Sequence, residues 1–500
     1  MTNGAGERLP LVGSKSHESP LSATSNGSKK VAVAAVMIVL IALGVVSTGM
    51  TKSLTLSTKQ PFCDSTAQSS GYIKLPNKED GHYFYWFFES RSDPENDPLV
   101  LWLTGGPGGS SMLALLTENG PCTVADDSVT TVSNPYSWTN NANVIWVDQP
   151  IGTGFSYGSV ADADHDSKQA GTNMYYFLQA FLKAHPKFIK NKFFVTGESY
   201  AGHYVPTVAT ALLNTKPSGD DVKINLEGIA IGNGFTNPLI QTKYQADLIQ
   251  NNSYGIVLMN DTDFAEYKQN VSTLLALTEK CYANDNDACT QASAFWLAGV
   301  VMPIVTVAKV SQYDLRAPTG RNEAAVQNQP ALKGGAKGAL SDEAMKNIGN
   351  SQAHAFLNNI DIQTELHIPA VKRPYPWTEL SQAVFANFMP DVFKNYESHV
   401  VDLLEHDIRV LIYAGDADLV CNWLGNHAWT NALEWSGKTD FQAAQYVPFI
   451  VNGTDAGALQ AAKNFAFLRV YNAGHMVPEN QPEVALTMLN RFLADELVRA

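Results

Sequence analysis

A chain of 500 residues is long enough for one large α/β domain with insertions, or for about two or three small domains. Hydrophobic residues make up 45 % and aromatics 10 %, so a sizeable core can be buried. The formal net charge of −14 argues against a nucleic-acid partner, because phosphate binding asks for a basic surface.

Residues 1–30 are rich in Gly, Ser and Asn and end in Lys29-Lys30. The run VAVAAVMIVLIALGVVSTGM, Val31 to Met50, carries no charge and is long enough to cross a bilayer. It has no polar face, unlike a surface helix. A buried core helix and a cleaved signal peptide are the alternatives; the apolar region and leader of a signal peptide are usually shorter. Lys29 and Lys30 precede the span and only Lys52 follows closely. The positive-inside rule then puts residues 1–30 in the cytosol and everything after 31–50 across the membrane. The expectation is a single-pass type II protein with a lumenal catalytic domain in a vacuole, lysosome or other secretory compartment, or a secreted one if the anchor is cleaved.

All five cysteines, Cys63, Cys122, Cys281, Cys289 and Cys421, follow that span, on the side where disulfides are permitted. An odd count leaves one thiol unpaired. Cys281 and Cys289 are close in sequence and form the first expected pair; Cys63 with Cys122 is the second, with other connectivities open. Glycosylation sequons stand at Asn251, Asn260, Asn270 and Asn452.

Further along, HYFYWFFES (82–90), PLVLWLT (98–104), NVIWVDQP (143–150), KFFVTG (192–197) and NLEGIAIGNG (225–234) read as strands. So do DIRVLIYAGD (407–416) and FAFLRVYNAG (465–474). Short apolar runs that end in Gly or Asp suit buried strands of a mostly parallel sheet. Asp162–Ala184 and Pro482–Leu497 carry apolar residues at helical spacing. Strands alternating with helices predict an α/β fold. The rhythm breaks between about 237 and 375, where helical stretches, the local cysteine pair, three sequons and the loop RAPTGRNEAAVQNQPALKGGAKG lie. Because strands resume afterwards, 237–375 reads as a cap inserted between core segments 51–236 and 376–500, with an independent second domain as the alternative.

The chemistry begins at VTGESYAGHYVP (195–206), where a strand feeds through a turn into a helix-prone run. That context lifts the Ser199 hydroxyl out of the backbone as a nucleophile elbow, although Ala201 stands where the strict G-x-S-x-G pattern has its last glycine. A serine nucleophile needs a base, and the base needs an orienting group. In an α/β-hydrolase order these are an acid and then a histidine. Asp416 and Asp418 follow one late strand and His475 follows the next; the residues alone do not choose between the two aspartates. WLTGGPGGSS (102–111) supplies Gly105, Gly106, Gly108 and Gly109 after a strand, a site for oxyanion donors that lacks the ending of a phosphate loop. The N–H of Tyr200 is the partner donor. No metal cluster or dinucleotide fingerprint is present, so no cofactor is expected.

GESYAGHYVP, WLTGGPGGSS, VDQPIGTGFSY, YAGDADLVCNWLGN and NAGHMVP, with YDLR at 313–316, together resemble the serine carboxypeptidase family over roughly residues 60–498. The resemblance implies an α/β-hydrolase fold with a helical cap, and removal of C-terminal residues from peptides or proteins in acid. It implies Ser199 as nucleophile, His475 as base and Asp418 as orienting acid, with Gly106 and Tyr200 forming the oxyanion hole. It also implies that Glu118 and Glu198 hold the substrate's terminal carboxylate together with Thr104 and the Gly105 N–H. Two carboxyl groups and a substrate carboxylate in close contact cannot all be ionised, so a proton is shared and binding should weaken as pH rises. In the family, the cysteine matching Cys421 is free and lies near the site in one member. Two positions depart from the pattern: Thr104 replaces an asparagine that binds the terminal carboxylate, and Gly109 replaces a cysteine bonded toward the cap. Thr104 keeps open a related acyltransferase or esterase using the same triad. A protective binding partner is the remaining alternative, and a complete triad argues against it.

Overall fold

The computed structural model describes residues 62–318, 352–369 and 376–497. The tail 1–30, the apolar span 31–50 and most of the loop that starts at Arg316 lie outside the described residues. Along the chain the elements run β1 (Gln68–Lys74), β2 (His82–Phe88), β3 (Leu99–Thr104), α1 (Ser111–Thr117), β4 (Cys122–Val124), β5 (Thr131–Ser133) and β6 (Asn143–Val147). They continue with α2 (Ser167–Ala184), β7 (Phe193–Glu198), α3 (Ala201–Asn214) and β8 (Leu226–Gly232). A helical excursion then includes α4 (Pro238–Lys243), α5 (Gln245–Gln250), α6 (Asp261–Tyr282) and α7 (Asn286–Phe295). The sheet resumes with β9 (Arg409–Gly415), β10 (Val447–Val451), β11 (Thr454–Ala462) and β12 (Phe465–Val470), and helix Pro482–Leu493 follows.

Ten strands form one sheet in the order β1-β2-β6-β3-β7-β8-β9-β12-β11-β10, while β4 and β5 pair separately. The six strands from β6 to β12 in this order are parallel, and two antiparallel strands extend each side. The expected mostly parallel sheet is therefore mixed. The edge strands β1 and β10 escaped the sequence reading: β1 is not an apolar run, and the short run of β10, VPFIV, is interrupted by Pro448. β1 is QSSGYIK, and β10 and β11 turn on Asn452-Gly453 with φ of +47° and +77°, the left-handed pair a tight hairpin asks for.

Alternation along the parallel strands produces two buried faces. Leu101, Leu103, Val195, Ile229, Ile231 and Ile412 pack under α2 and α3. Val100, Trp102, Phe194, Ala230, Leu411 and Tyr413 pack under α1 and helix Pro482–Leu493. Each such fully buried side chain contributes about 1.5–3 kcal/mol of transfer free energy. Helix α2 begins at Ser167 and not at Asp162, because Asp166 caps it by accepting from the Gln169 N–H at 2.8 Å. Asp162 instead ends a short 3-10 turn and accepts from the Glu79, Asp80 and Ser159 amides.

Two disulfides join Cys63 to Cys122 and Cys281 to Cys289, and Cys421 is free and buried. The stretch Asn286–Ala308, 23 residues with mean hydropathy 1.6, is long and apolar enough to cross a membrane by length and composition. It carries Cys289 and buries Val300, Val301 and Ile304 in the core. Cross-linking residues 59 apart constrains the unfolded chain more than cross-linking residues 8 apart. Loop entropy predicts that replacing Cys63 and Cys122 by alanine costs about 4 kcal/mol, against about 2.5 kcal/mol for Cys281 and Cys289. Chemical denaturation of the two double variants checks that order.

Candidate active site

Parallel strands end at the same edge, so the segments after β3, β7, β8, β9 and β12 converge there. After β7 the chain turns at Ser199, which has φ of +66°. For a residue with a Cβ this left-handed conformation costs about 1–2 kcal/mol. Three backbone bonds hold it: the Ser199 N–H donates to the Gly232 carbonyl at 3.0 Å, and the Ser199 carbonyl accepts from Phe235 and Gly202, both at 2.9 Å. Helix α3 starts two residues later, which sets Ser199 on a sharp strand-to-helix turn.

The structure separates the two aspartates. Asp416 accepts from the Tyr254 hydroxyl, from Arg469 at 2.9 Å and from the Asn472 N–H at 3.1 Å, an anchor between segments. Asp418 is fully buried and its Oδ2 lies 2.7 Å from His475 Nδ1. Asn233 donates to the same oxygen at 2.8 Å, and the Val420 and Cys421 amides add bonds of 3.0 and 3.3 Å. Four donors thus converge on one buried carboxylate. His475 is itself held by its N–H donating to the Tyr313 carbonyl at 2.7 Å, with the Tyr313 ring 5.0 Å from the imidazole. The Cys421 thiol lies within 4.8 Å of the Asp418 and His475 ligand atoms. Burial first, then the Asp418 and Glu198 charges, push that thiol well above its usual range, with Ser199 as its hydrogen-bond neighbour.

The glycine loop closes the other side. Gly105 packs so tightly that a Cβ there would sit 2.3 Å from the Tyr200 nitrogen and 2.7 Å from the Glu198 carbonyl oxygen. The loop is braced by its own Gly109 N–H to Gly105 carbonyl bond at 2.9 Å. It is also tied to residues 379–381: Ser110 N–H donates to the Glu379 carbonyl and Ser381 N–H to the Gly108 carbonyl, both at 2.9 Å. Gly109, where the family has cysteine, thus bridges to Leu380 through backbone. Thr104 ends β3 beside Glu198 in register; its Oγ1 accepts from the Trp102 indole at 3.0 Å, which leaves its hydroxyl proton to donate.

Glu118 caps the end of α1 and Glu198 ends β7; they are 6 % and 3 % exposed. Each has an Oε2 that is buried without a hydrogen-bond partner among the described residues. The two side chains reach each other, and two carboxylates offer only acceptors, so a bond between them requires a proton. Burial first, then the Glu479 charge, raise Glu118 to about 8, with the Glu198 contact pulling the other way. Burial first, then Glu118, push Glu198 well above the usual carboxylate range.

The sequence reading missed three contributors. Glu479 stands exposed on helix Val477–Asn480, four residues after His475, and adds negative charge to the pair. Asn233, with φ of +40°, follows β8 in Gly232-Asn233-Gly234, a composition suited to a left-handed turn, and its side chain links Asp418 to the Gly415 amide. Tyr413 lies buried on β9.

The sequence profile of the serine carboxypeptidase family matches residues 58–495. The chain belongs to that family. A serine carboxypeptidase-like protein of Oryza sativa is 39 % identical over 86 % of this chain and 94 % of its own length. The vacuolar serine-type carboxypeptidase ATG42 of Saccharomyces cerevisiae is 36 % identical over 88 % and 82 % respectively. The crystal structure of the prohormone-processing carboxypeptidase Kex1(delta)p from Saccharomyces cerevisiae aligns with a TM-score of 0.71 at 25 % identity, covering 86 % of this chain and 92 % of that one. The chain is a serine-type carboxypeptidase, a hydrolase that acts on peptide C-termini.

A methyl group on Gly105 would occupy the space in front of the Tyr200 amide. Gly105→Ala is expected to lower kcat/KM by about 100-fold or more, read by steady-state hydrolysis of a blocked dipeptide beside a thermal melt of the variant.

Proposed function

We propose that Ser199 attacks the C-terminal peptide bond, with His475 as base and Asp418 as the group that orients it. The buried acid pair beside an elbow serine is the observation that carries this reading. Asp418 accepts from Nδ1–H, which leaves Nε2 to take the Ser199 proton as Oγ bonds to the scissile carbonyl carbon. The Gly106 and Tyr200 N–H groups receive the oxyanion. On collapse the C–N bond breaks, His475 returns the proton to the leaving amine, and the C-terminal amino acid departs. Water, deprotonated by His475, then hydrolyses the Ser199 ester.

The terminal carboxylate lies against Glu118 and Glu198, with Thr104 and the Gly105 N–H completing the contact. A shared proton makes the pair a donor to that carboxylate. The sign follows: binding is strong while the pair holds its proton and weakens as pH climbs through about 8, where Glu118 ionises. Thr104 offers one hydroxyl proton, its oxygen already accepting from Trp102, where the family has an amide, which supports a second reading in which esters or other acyl acceptors are used more readily.

Residues 31–50 are the membrane anchor in this proposal, with residues 1–30 cytosolic and the hydrolase on the lumenal side, where the two disulfides form. The segment 237–375 acts as a cap over the catalytic edge. The full-length chain should stay with membranes after alkaline carbonate extraction, and protease added outside sealed vesicles should remove only the tail; release of the whole chain refutes the anchor.

Blocked dipeptides with free and amidated C-termini, compared from about pH 5 to about pH 9, test the clamp. The free acid should be strongly preferred in acid, and its KM should rise toward the alkaline end. Replacing both Glu118 and Glu198 by glutamine should flatten that rise, and Ser199→Ala should abolish turnover. Equal use of free and amidated peptides by the wild type would sink the clamp.

A further inference from the structure

The register of the sheet places four residues in one row at its catalytic edge. Thr104 on β3 pairs with Glu198 on β7, Glu198 with Gly232 on β8, and Gly232 with Tyr413 on β9. Residues at the same register of parallel strands point to the same face, and here that face is the one covered by α1, which ends in Glu118. Glu198 and Tyr413 are two strands apart, about 10 Å between backbones. Any side chain on the intervening strand would separate them, but Gly232 has none.

The Tyr413 ring fills that gap. A Cβ on Gly232 would lie 2.4 Å from the ring Cζ and 2.5 Å from the hydroxyl oxygen. The phenol therefore leans over β8 toward Glu198. Tyr413 is fully buried and its hydroxyl has no hydrogen-bond partner among the described residues. The same is true of Glu198 Oε2 and Glu118 Oε2. Burial, then the Glu198 charge, then the Glu118 charge hold the phenol protonated, as a donor. One orphaned donor and two orphaned acceptors thus share a buried corner, in a protein interior where polar atoms ordinarily find partners.

We infer that Tyr413 is a positioning residue for the terminal-carboxylate site: its hydroxyl, reaching across the bare backbone of Gly232, donates to the Glu118–Glu198 pair, directly or through one bound water. This rests on the clamp proposed above. The Tyr413 bond occupies the rear lone pairs of the acids. It thereby turns the shared proton outward, to the substrate carboxylate. Tyr413 touches neither the scissile bond nor the triad, so its effect falls on binding of the free C-terminus and not on the chemical step.

Tyr413→Phe keeps the ring and removes only the donor. For a blocked dipeptide with a free carboxylate, KM should rise about threefold to tenfold with kcat unchanged, the range expected for one hydrogen bond. For the amidated dipeptide neither constant should move. Calorimetric binding of the free-acid dipeptide in the Ser199→Ala background should weaken by the same factor in the double variant, independently of turnover. A KM for the free acid that stays at the wild-type value overturns the inference. So does an equal loss for both substrates, which is what a merely structural tyrosine would give. If the wild type does not distinguish the two substrates, the clamp itself is wrong and this inference falls with it. A wild type that discriminates and a Tyr413→Phe variant that matches it refute Tyr413 alone.

Discussion

Two carboxyl groups buried side by side at the end of the β7 strand cannot both be charged, and the rest of the site is arranged around that constraint. In water the pair would lose its protons and separate. Here α1 and the ends of β3 and β7 exclude solvent and fix Glu118 against Glu198. Held in that way, both acids have their acidity lowered, by burial first and by their neighbours' charges next, and the carboxylate site proposed above rests on that arrangement. Asp418 differs in kind: four donors converge on it where it faces His475.

The parallel centre of the sheet is what makes such an arrangement possible. Six strands deliver their C-terminal ends to one edge, and five of them lead directly into a site segment. β3 leads into the glycine loop, β7 into the elbow, β8 into Asn233, β9 into Asp418 and β12 into His475. The antiparallel strands at the two sides add width and cover, and none of them ends in a site residue. Backbone contact then sets the precision: Gly105 rests against the Tyr200 amide with no room for a methyl group, so donor position is fixed by packing of main chain on main chain.

How much of this was legible in the chain follows from distance along it. The elbow, the glycine loop and the strands that carry them are local patterns, and the apolar runs at 98–104, 192–197 and 225–234 mark β3, β7 and β8 to within about two residues. The choice between Asp416 and Asp418 is not legible in the residues themselves, because both follow the same strand; only the family resemblance points to Asp418. Only the folded chain puts one against Arg469 and the other against His475. Asn452-Gly453 reads in sequence as a glycosylation signal and is also the turn of the β10–β11 hairpin. Glu479 and Tyr413 were silent for a different reason. What matters about them is register and facing across strands, which no local spacing encodes.

The helical excursion between β8 and β9 is more than a cover, because the catalytic loops are built partly from it. Gln312 accepts from the Leu419 and Val420 amides at 3.2 and 3.0 Å, Leu315 donates to the Ala417 carbonyl at 2.9 Å, and Tyr313 accepts from His475. These bonds flank Asp418 and His475 on both sides. The glycine loop is bridged in the same way to 379–381. A chain with glycine at 109 has no thiol there to bond toward the excursion, yet the backbone bridge at that residue keeps the loop in place. Attachment by several main-chain bonds constrains orientation, whereas a single disulfide constrains mainly distance. The loops that carry Asp418 and His475 are therefore held in part by backbone bonds from a segment remote in sequence.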